Sequence, residues 1–480
     1  MSPVFGIQQH GPVFRRARFS THPMKYVRLA AFALFMLLLL PRQAAAYSLL
    51  THEQLIDLTW QDSIVPLLLS HYPNLTPADL DRARAYAYGG CVIQDIGYYP
   101  FGDPSFSNLT HYVRTGDFIV SLFRNATNAD ELAFAVGALS HYVGDSIGHS
   151  EATNLAVPVE FPKLRAKYGS AVNYAEGKRQ HVRTEFAFDI NEIAHRRVAP
   201  LRYLRHIGLK VPVRQLALAY YQTYGLTEDF SRRNRRFNVR EYRWAVRTFL
   251  PRIAYSVTVL HRRQEPADPN TPDSIEMQKE AAAIDAFYHW DSYRGRRPRL
   301  ETYLVAAILF ILPKFGPLSE VAVKGPTAAT EAEYMHSVMQ STAALRVALD
   351  RFTPRAARHA PPAGAIALAT PFAALDPRHP IPNRDLDTGH VVQPGGYPLT
   401  DSTYAELLHR IAAKPAQPIP PGIKREIQAY YADLSLPITT KKDPNKWAQV
   451  QADLKTLDSM STSTEPQPYP TYGDDASNDQ

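Results

Sequence analysis

The stretch "NADELAFAVGALSHYVGDSIGHS", residues 128–150, decides the fold class. Asn128 followed by Glu131 puts capping residues ahead of an apolar series, and Leu132, Val136, Leu139 and Val143 recur at helical spacing. At 100° per residue, His141, Asp145 and His149 fall within an arc of about 80° on the side opposite that series. An ordinary surface helix carries Lys, Arg and Glu on its second face. Here Phe134 and Ala138 flank the three residues, and no Lys or Arg occurs from 125 to 162, although Asp130, Glu131, Asp145, Glu151 and Glu160 do. Imidazoles and carboxylates on such a face are costly to desolvate unless a cation pairs with them, and a divalent metal meets that need. One ion cannot serve all three. His141 and His149 are separated by about 12 Å of helix rise, whereas metal–nitrogen bonds are about 2.0–2.1 Å. Asp145, with two oxygens, bridges two ions in this reading and leaves His149 to another, so the stretch asks for a metal cluster.

Working outward, helical signals dominate. In "SLLTHEQLIDLTW", Thr51 and Gln54 are spaced as a capping box; in "TPADLDRARAYAYGG", Thr76 is a cap, Pro77 a first helical residue and Gly89–Gly90 a stop. Further helices are expected near 172–197, 211–224, 239–262, 273–293, 300–312, 328–350, 402–412 and 422–433. Few stretches alternate with period two, so the fold class is all-α.

The organisation expected is a signal peptide at 1–46, a helical domain at 47–265, a helical extension at 266–350, a Pro-rich connector at 351–400, short helices at 401–459 and a disordered tail at 460–480. Lys25 and Arg28 precede the apolar run Leu29–Leu40, and "AAA" at 44–46 supplies the cleavage site, with Met24 an alternative start. The expected location is periplasmic or secreted; an uncleaved leader would anchor the chain, although the run of about twelve is short of the usual span of about 20. Nine of the 39 prolines fall in 351–400, which reads as an extended connector over the surface. The run "YLVAAILFIL" (303–312) is too short to cross a bilayer and reads as a core helix.

The formal charge of +7 is a property of the leader. Without the six Lys/Arg of residues 1–46, 47 basic residues face 46 acidic ones, so the body has no strong field for a polyanion. The basic run "RRNRRFNVREYRW" (232–244) reads as a solvated helix face. A single cysteine, Cys91, excludes an internal disulfide.

Other metal-ligating residues lie along the chain. "HVRTE" places His181 and Glu185 at i, i+4 on a second helix, "VIQDIGYYP" places Asp95 in a loop after the Gly-Gly stop, and "NLTHYV" and "LLTHEQ" supply His111 and His52. The ordered set His52, Asp95, His111, His141-x-x-x-Asp145, His149, His181-x-x-x-Glu185, behind a signal peptide, resembles the zinc-dependent phospholipase C family, which shares its helical fold with single-strand-specific zinc nucleases. The resemblance covers about residues 47–200. It implies three Zn2+ ions: one on Asp95, His111, His141 and Asp145; one on Tyr47, His52 and the shared Asp145; one on His149, His181 and Glu185. Tyr47, the expected mature terminus, would bind through its amino nitrogen and carbonyl oxygen. Family members place the histidine six residues after the bridging aspartate, where this chain has four, and usually begin with Trp.

The resemblance implies phosphodiester hydrolysis by zinc-activated water, with Asp95 as the catalytic residue that orients or deprotonates it. A phospholipid or membrane-surface substrate fits the neutral body and Glu185 in the third site. Nucleic acid is the less favoured partner, since a nuclease needs stacking aromatics and usually a basic groove. Tyr98, Tyr99, Phe101 and Phe106, near Asp95, read equally as a cleft lining or as helix packing. A third reading, an exported scaffold with purely structural zinc, stays open at this point; open coordination positions argue for catalysis.

Overall fold

A computed structural model describes residues 49–99, 102–228, 230, 239–261, 269–294, 302, 303, 306, 325–354 and 379–464. Tyr47, the leader, most of the run 303–312, most of the basic run, Phe101, the connector from 355 to 378 and the tail beyond 464 lie outside the described residues. The fold is all-α. No strand forms among the described residues, whose β structure is limited to isolated bridge residues, among them Arg384 with Val391 and Ile419 with Thr462. No described helix is long and apolar enough to cross a membrane.

The principal helices are α1 (Leu49–Thr59), α2 (Pro77–Gly90), α3 (Pro104–Tyr112), α4 (Thr115–Asn125), α5 (Ala129–Gly148), α6 (Tyr174–Ala194), α7 (Val213–Tyr224), α8 (Leu250–His261), α9 (Pro272–Phe287), α10 (Ala328–Asp350), α11 (Pro398–Ala412), α12 (Pro421–Tyr430) and α13 (Pro444–Ser459). The quoted stretch is the hub: α5 packs against α1, α2, α4 and α10. Its cap forms as the sequence indicates, with Asn128 Oδ1 accepting from the Glu131 N–H at 3.0 Å. Both faces of α5 are buried, the apolar one and the one carrying His141 and Asp145, as expected of a helix at the centre of a domain.

The α2–α5 crossing is a backbone contact. A Cβ on Gly137 would stand 2.1 Å from the Ala87 carbonyl oxygen, and one on Gly90 would stand 2.1 Å from that of Phe134. These small residues let the helices touch, which brings the Cys91 carbonyl, just past the end of α2, to 2.9 Å from His141 Nδ1. Gly137→Ala should therefore destabilise the fold by about 1–3 kcal/mol through overpacking. An unchanged urea midpoint for this variant would show that the crossing yields freely.

Two expectations change. Thr51 is not an N-cap, because it lies inside α1, of which Leu49 and Leu50 before it are already part. Its first-turn donors are taken by a distant carboxylate: Asp189 of α6 accepts from Leu50 N at 3.0 Å, Thr51 N at 3.1 Å and Thr51 Oγ1 at 2.9 Å. This fixes the start of α1 against α6. Residues 381–387 of the connector do not run over the surface, whereas its described residues from 388 to 396 do. Ile381, Pro382, Asn383, Asp385, Leu386 and Asp387 are buried. Leu386 N donates to the His111 carbonyl at 3.0 Å, and the Tyr142 hydroxyl donates to the Pro382 carbonyl at 2.7 Å. Inserted between α3 and α5, the segment finds partners for its backbone polar groups in the helical domain. Beyond it, α11 is tied back to α3 by Arg410, which donates to Ser105 Oγ at 3.0 Å.

Candidate metal centre

Each element delivers its ligand for a local reason. His52 lies one turn into α1. Asp95 closes a 3-10 turn, Ile93–Asp95, that follows α2, and His111 sits in the last turn of α3. His141 and Asp145 stand one turn apart on α5, and His149 opens a π-helical turn, His149–Thr153, at its end. Gly177 breaks the helical geometry early in α6, and His181 and Glu185 follow on its continuous part. All eight side chains are buried.

They form three groups of close donor atoms: His52, His141 and Asp145; Asp95, His111 and His141; His149, His181 and Glu185. Asp145 joins the first two. Its Oδ1 lies 3.3 Å from His52 Nε2, and its Oδ2 lies 3.3 Å from His111 Nε2 and 3.1 Å from His141 Nε2. Asp95 Oδ1 is 3.3 Å from His111 Nε2. The four-residue step from Asp145 still delivers His149 to the third group, where its ring stacks on His181 at 5.6 Å. A π turn at that step suits a functional position, since such turns appear frequently at functional sites.

The second ring nitrogens fix which atom faces inward. His111 Nδ1 donates to the Ser107 carbonyl at 2.7 Å, His141 Nδ1 to that of Cys91 at 2.9 Å and His181 Nε2 to that of Val172 at 2.6 Å. A carbonyl only accepts, so these nitrogens each carry a proton and the opposite nitrogens are the ones left to face a metal, the orientation metal-ligating histidines require.

Charge supports the same assignment. Burial lowers His181 to about 4 and His149 well below its ordinary value, so both rings are neutral donors. Burial, together with the charges of Asp145 and Asp95, raises the Glu185 carboxyl well above its usual range. In the first group burial opposes protonation of His111, but the adjacent carboxylates of Asp145 and Asp95 overcome it and lift the ring to about 10. Asp145 is held well below the carboxylate range against its own burial by His141, His111 and His52. Asp145 Oδ1 and Oδ2, Asp95 Oδ1, His149 Nδ1 and Nε2, His181 Nδ1 and Glu185 Oε1 are buried without an ordinary hydrogen bond. Such atoms demand a partner, and converging imidazole and carboxylate donors fit zinc.

The aromatic residues near Asp95 divide. Tyr98 lies against His111, ring centroids 5.3 Å apart, and its hydroxyl donates to Asn108. Phe106 stacks on Tyr220 and Tyr99 on Tyr242, so both serve helix packing. Asp387 is a site residue that the sequence does not reveal. It is buried beside the third group, with Oδ1 3.9 Å from His149 Nε2. It sits in a Pro-rich stretch without periodicity, more than 200 residues from the nearest ligand, and no spacing signal points to it.

No curated protein and no solved structure matches the chain. Residues 51–229 match the model of a family described as zinc dependent phospholipase C. That span holds His52 and the other seven described ligand residues, so over this part of the chain the protein is similar to a family of zinc-dependent phosphodiester hydrolases.

Proposed function

We propose that the protein is an exported phospholipase C with three zinc ions, cleaving the phosphodiester bond between glycerol and headgroup in membrane phospholipids. The observation that carries this reading is Asp145, whose two oxygens face two donor groups while a third stands beside them. Zinc bound there supplies a water acidified toward neutrality and positive charge for the phosphoryl oxygens. Asp95 Oδ1, buried and without an ordinary hydrogen bond, orients that water and accepts its proton. The carbonyls of Ser107, Cys91 and Val172 hold the outer ring nitrogens as donors, so that the inner nitrogens are the ones turned to the zinc. The near-neutral body favours a zwitterionic or lipid substrate over a nucleic acid.

Export is part of the proposal. Leader cleavage after Ala46 leaves Tyr47 as the terminus, two residues before α1, whose start Asp189 secures. N-terminal sequencing of the exported chain should read Tyr-Ser-Leu-Leu.

Purified protein should release phosphocholine from phosphatidylcholine vesicles and leave denatured DNA intact, and Asp95→Asn should lower kcat by about 10²–10⁴. Cleavage of the DNA alone would assign the nuclease reading. Full turnover by Asp95→Asn would remove Asp95 from the mechanism, and zinc bound without any hydrolysis would favour the scaffold.

A further inference from the structure

We propose that Asp387 is a fourth protein ligand of the third metal site, so that a segment far beyond residue 229 completes the metal centre and docks through the ion. The inference rests on the zinc reading above.

The segment is built to present this carboxylate. Asp385 Oδ1 accepts from Thr388 N at 2.8 Å, and Gly389 N donates to the Asp385 carbonyl at 3.0 Å, closing a tight turn around residue 387. Gly389 has φ +71°, and a Cβ there would stand 2.3 Å from the Ser146 carbonyl oxygen. Only glycine allows the turn to lie this close to the residue following Asp145. Asn154 Nδ2 donates to the Asp387 carbonyl at 2.9 Å, tying the turn to the residue that follows the π turn.

The side chain is oriented with equal care. Asp387 Oδ2 accepts from Tyr112 at 2.9 Å and Tyr397 at 2.6 Å. Those two hydroxyls hold one oxygen and aim the other at His149. The 3.9 Å from Oδ1 to His149 Nε2 is too long for a hydrogen bond. It is near the separation of about 3.3–3.5 Å expected of two donors sharing one tetrahedral zinc. His149 has no hydrogen bond at either ring nitrogen, so nothing else in the described structure claims the atom that faces Asp387.

Charge completes the argument. His149, His181 and Glu185 offer a divalent ion one negative charge, and Asp387 supplies the second. A buried dication with two carboxylates and two neutral imidazoles is balanced, and four protein donors close a zinc site in the way typical of structural zinc. The Asp145 pair is then left as the reacting part of the centre.

The test uses Asp387→Asn in the full-length protein, because the amide keeps the size of the side chain and an acceptor oxygen for Tyr112 and Tyr397. Wild type and variant are equilibrated in zinc buffers of graded free concentration, and bound zinc is counted by elemental analysis. The variant should lose one ion in three at a free zinc level at least about 10-fold higher than wild type does, while the other two ions and the far-ultraviolet circular dichroism are unchanged. Retention of all three ions at wild-type affinity overturns the inference. Should the variant fail to fold, amide exchange in wild type decides: faster exchange at residues 383–392 on zinc removal supports the inference, and equal exchange overturns it. A wild-type protein that binds no zinc would instead defeat the metal reading itself.

Discussion

Asp145→Ala should remove two zinc ions together and lower phosphodiester hydrolysis by about 10³-fold or more. The basis is that Asp145 Oδ1 faces His52 while Oδ2 faces His111 and His141, so one side chain is common to two donor groups. Losing a single electrostatic contact in an active site costs about 10²–10³-fold; here the position of two ions depends on one carboxylate. The third group, His149, His181 and Glu185, does not include Asp145 and should stay loaded. Elemental analysis is the discriminating measurement. A variant that keeps three ions, or loses all three with its fold intact, contradicts the arrangement. The imidazoles that hold the Asp145 carboxyl below its usual range lose their counter-charge when it goes.

The second large effect is zinc removal. Each ion, at a free concentration about 1,000 times its Kd, stabilises the folded state by about 4 kcal/mol. Three ions then amount to about 12 kcal/mol, or a fall in Tm of about 20 °C on chelation for a domain of this size. A Tm that ignores chelator would rule out stoichiometric tight zinc. The uptake of zinc is also pH-linked, with a definite sign. His111, lifted to about 10 by Asp145 and Asp95 against its own burial, holds a proton at neutral pH in the metal-free protein. Zinc must displace it, so affinity should rise up to tenfold per pH unit from this proton through the neutral range. In the metal-free fold the same raised value contributes stability that is complete below about pH 6.5 and is lost as pH rises through about 10. Titration of zinc in two buffers of different ionisation enthalpy counts the released protons. An affinity independent of pH between 7 and 9 would deny His111 its place as a ligand.

What was legible in the sequence was whatever repeats with the helix. His141, Asp145 and His149 announce themselves by falling on one arc of α5, and His181 with Glu185 by the i, i+4 step, because helical periodicity converts sequence distance into spatial proximity. His52, Asp95 and His111 lie on three separate elements, and only their order along the chain, compared with a known family, grouped them. Asp387 had no route into the sequence reading. Its position depends on a turn and two tyrosine hydroxyls brought in from α3 and from the segment before α11, long-range pairings that no local pattern encodes. The same limit explains Thr51: the capping spacing with Gln54 is present, but a tertiary carboxylate, Asp189, captures the donors that local capping would have used. The helix α13, which has Asp443 as its cap and Pro444 in its first turn, carried the usual start signals and merges in the sequence with the polar character of its neighbours.

The glycine contact between α2 and α5 ties durability to chemistry. Gly137 precedes His141 by one helical turn, and Cys91, whose carbonyl orients that ring, follows Gly90 directly. Loosening this crossing to gain flexibility in a cold habitat would also tilt an imidazole, and tightening it for heat is barred because the backbones already touch. Substitutions that tune stability are therefore expected in helices that carry no ligand, such as α12 and α13, where a residue can change without being felt by the donor groups.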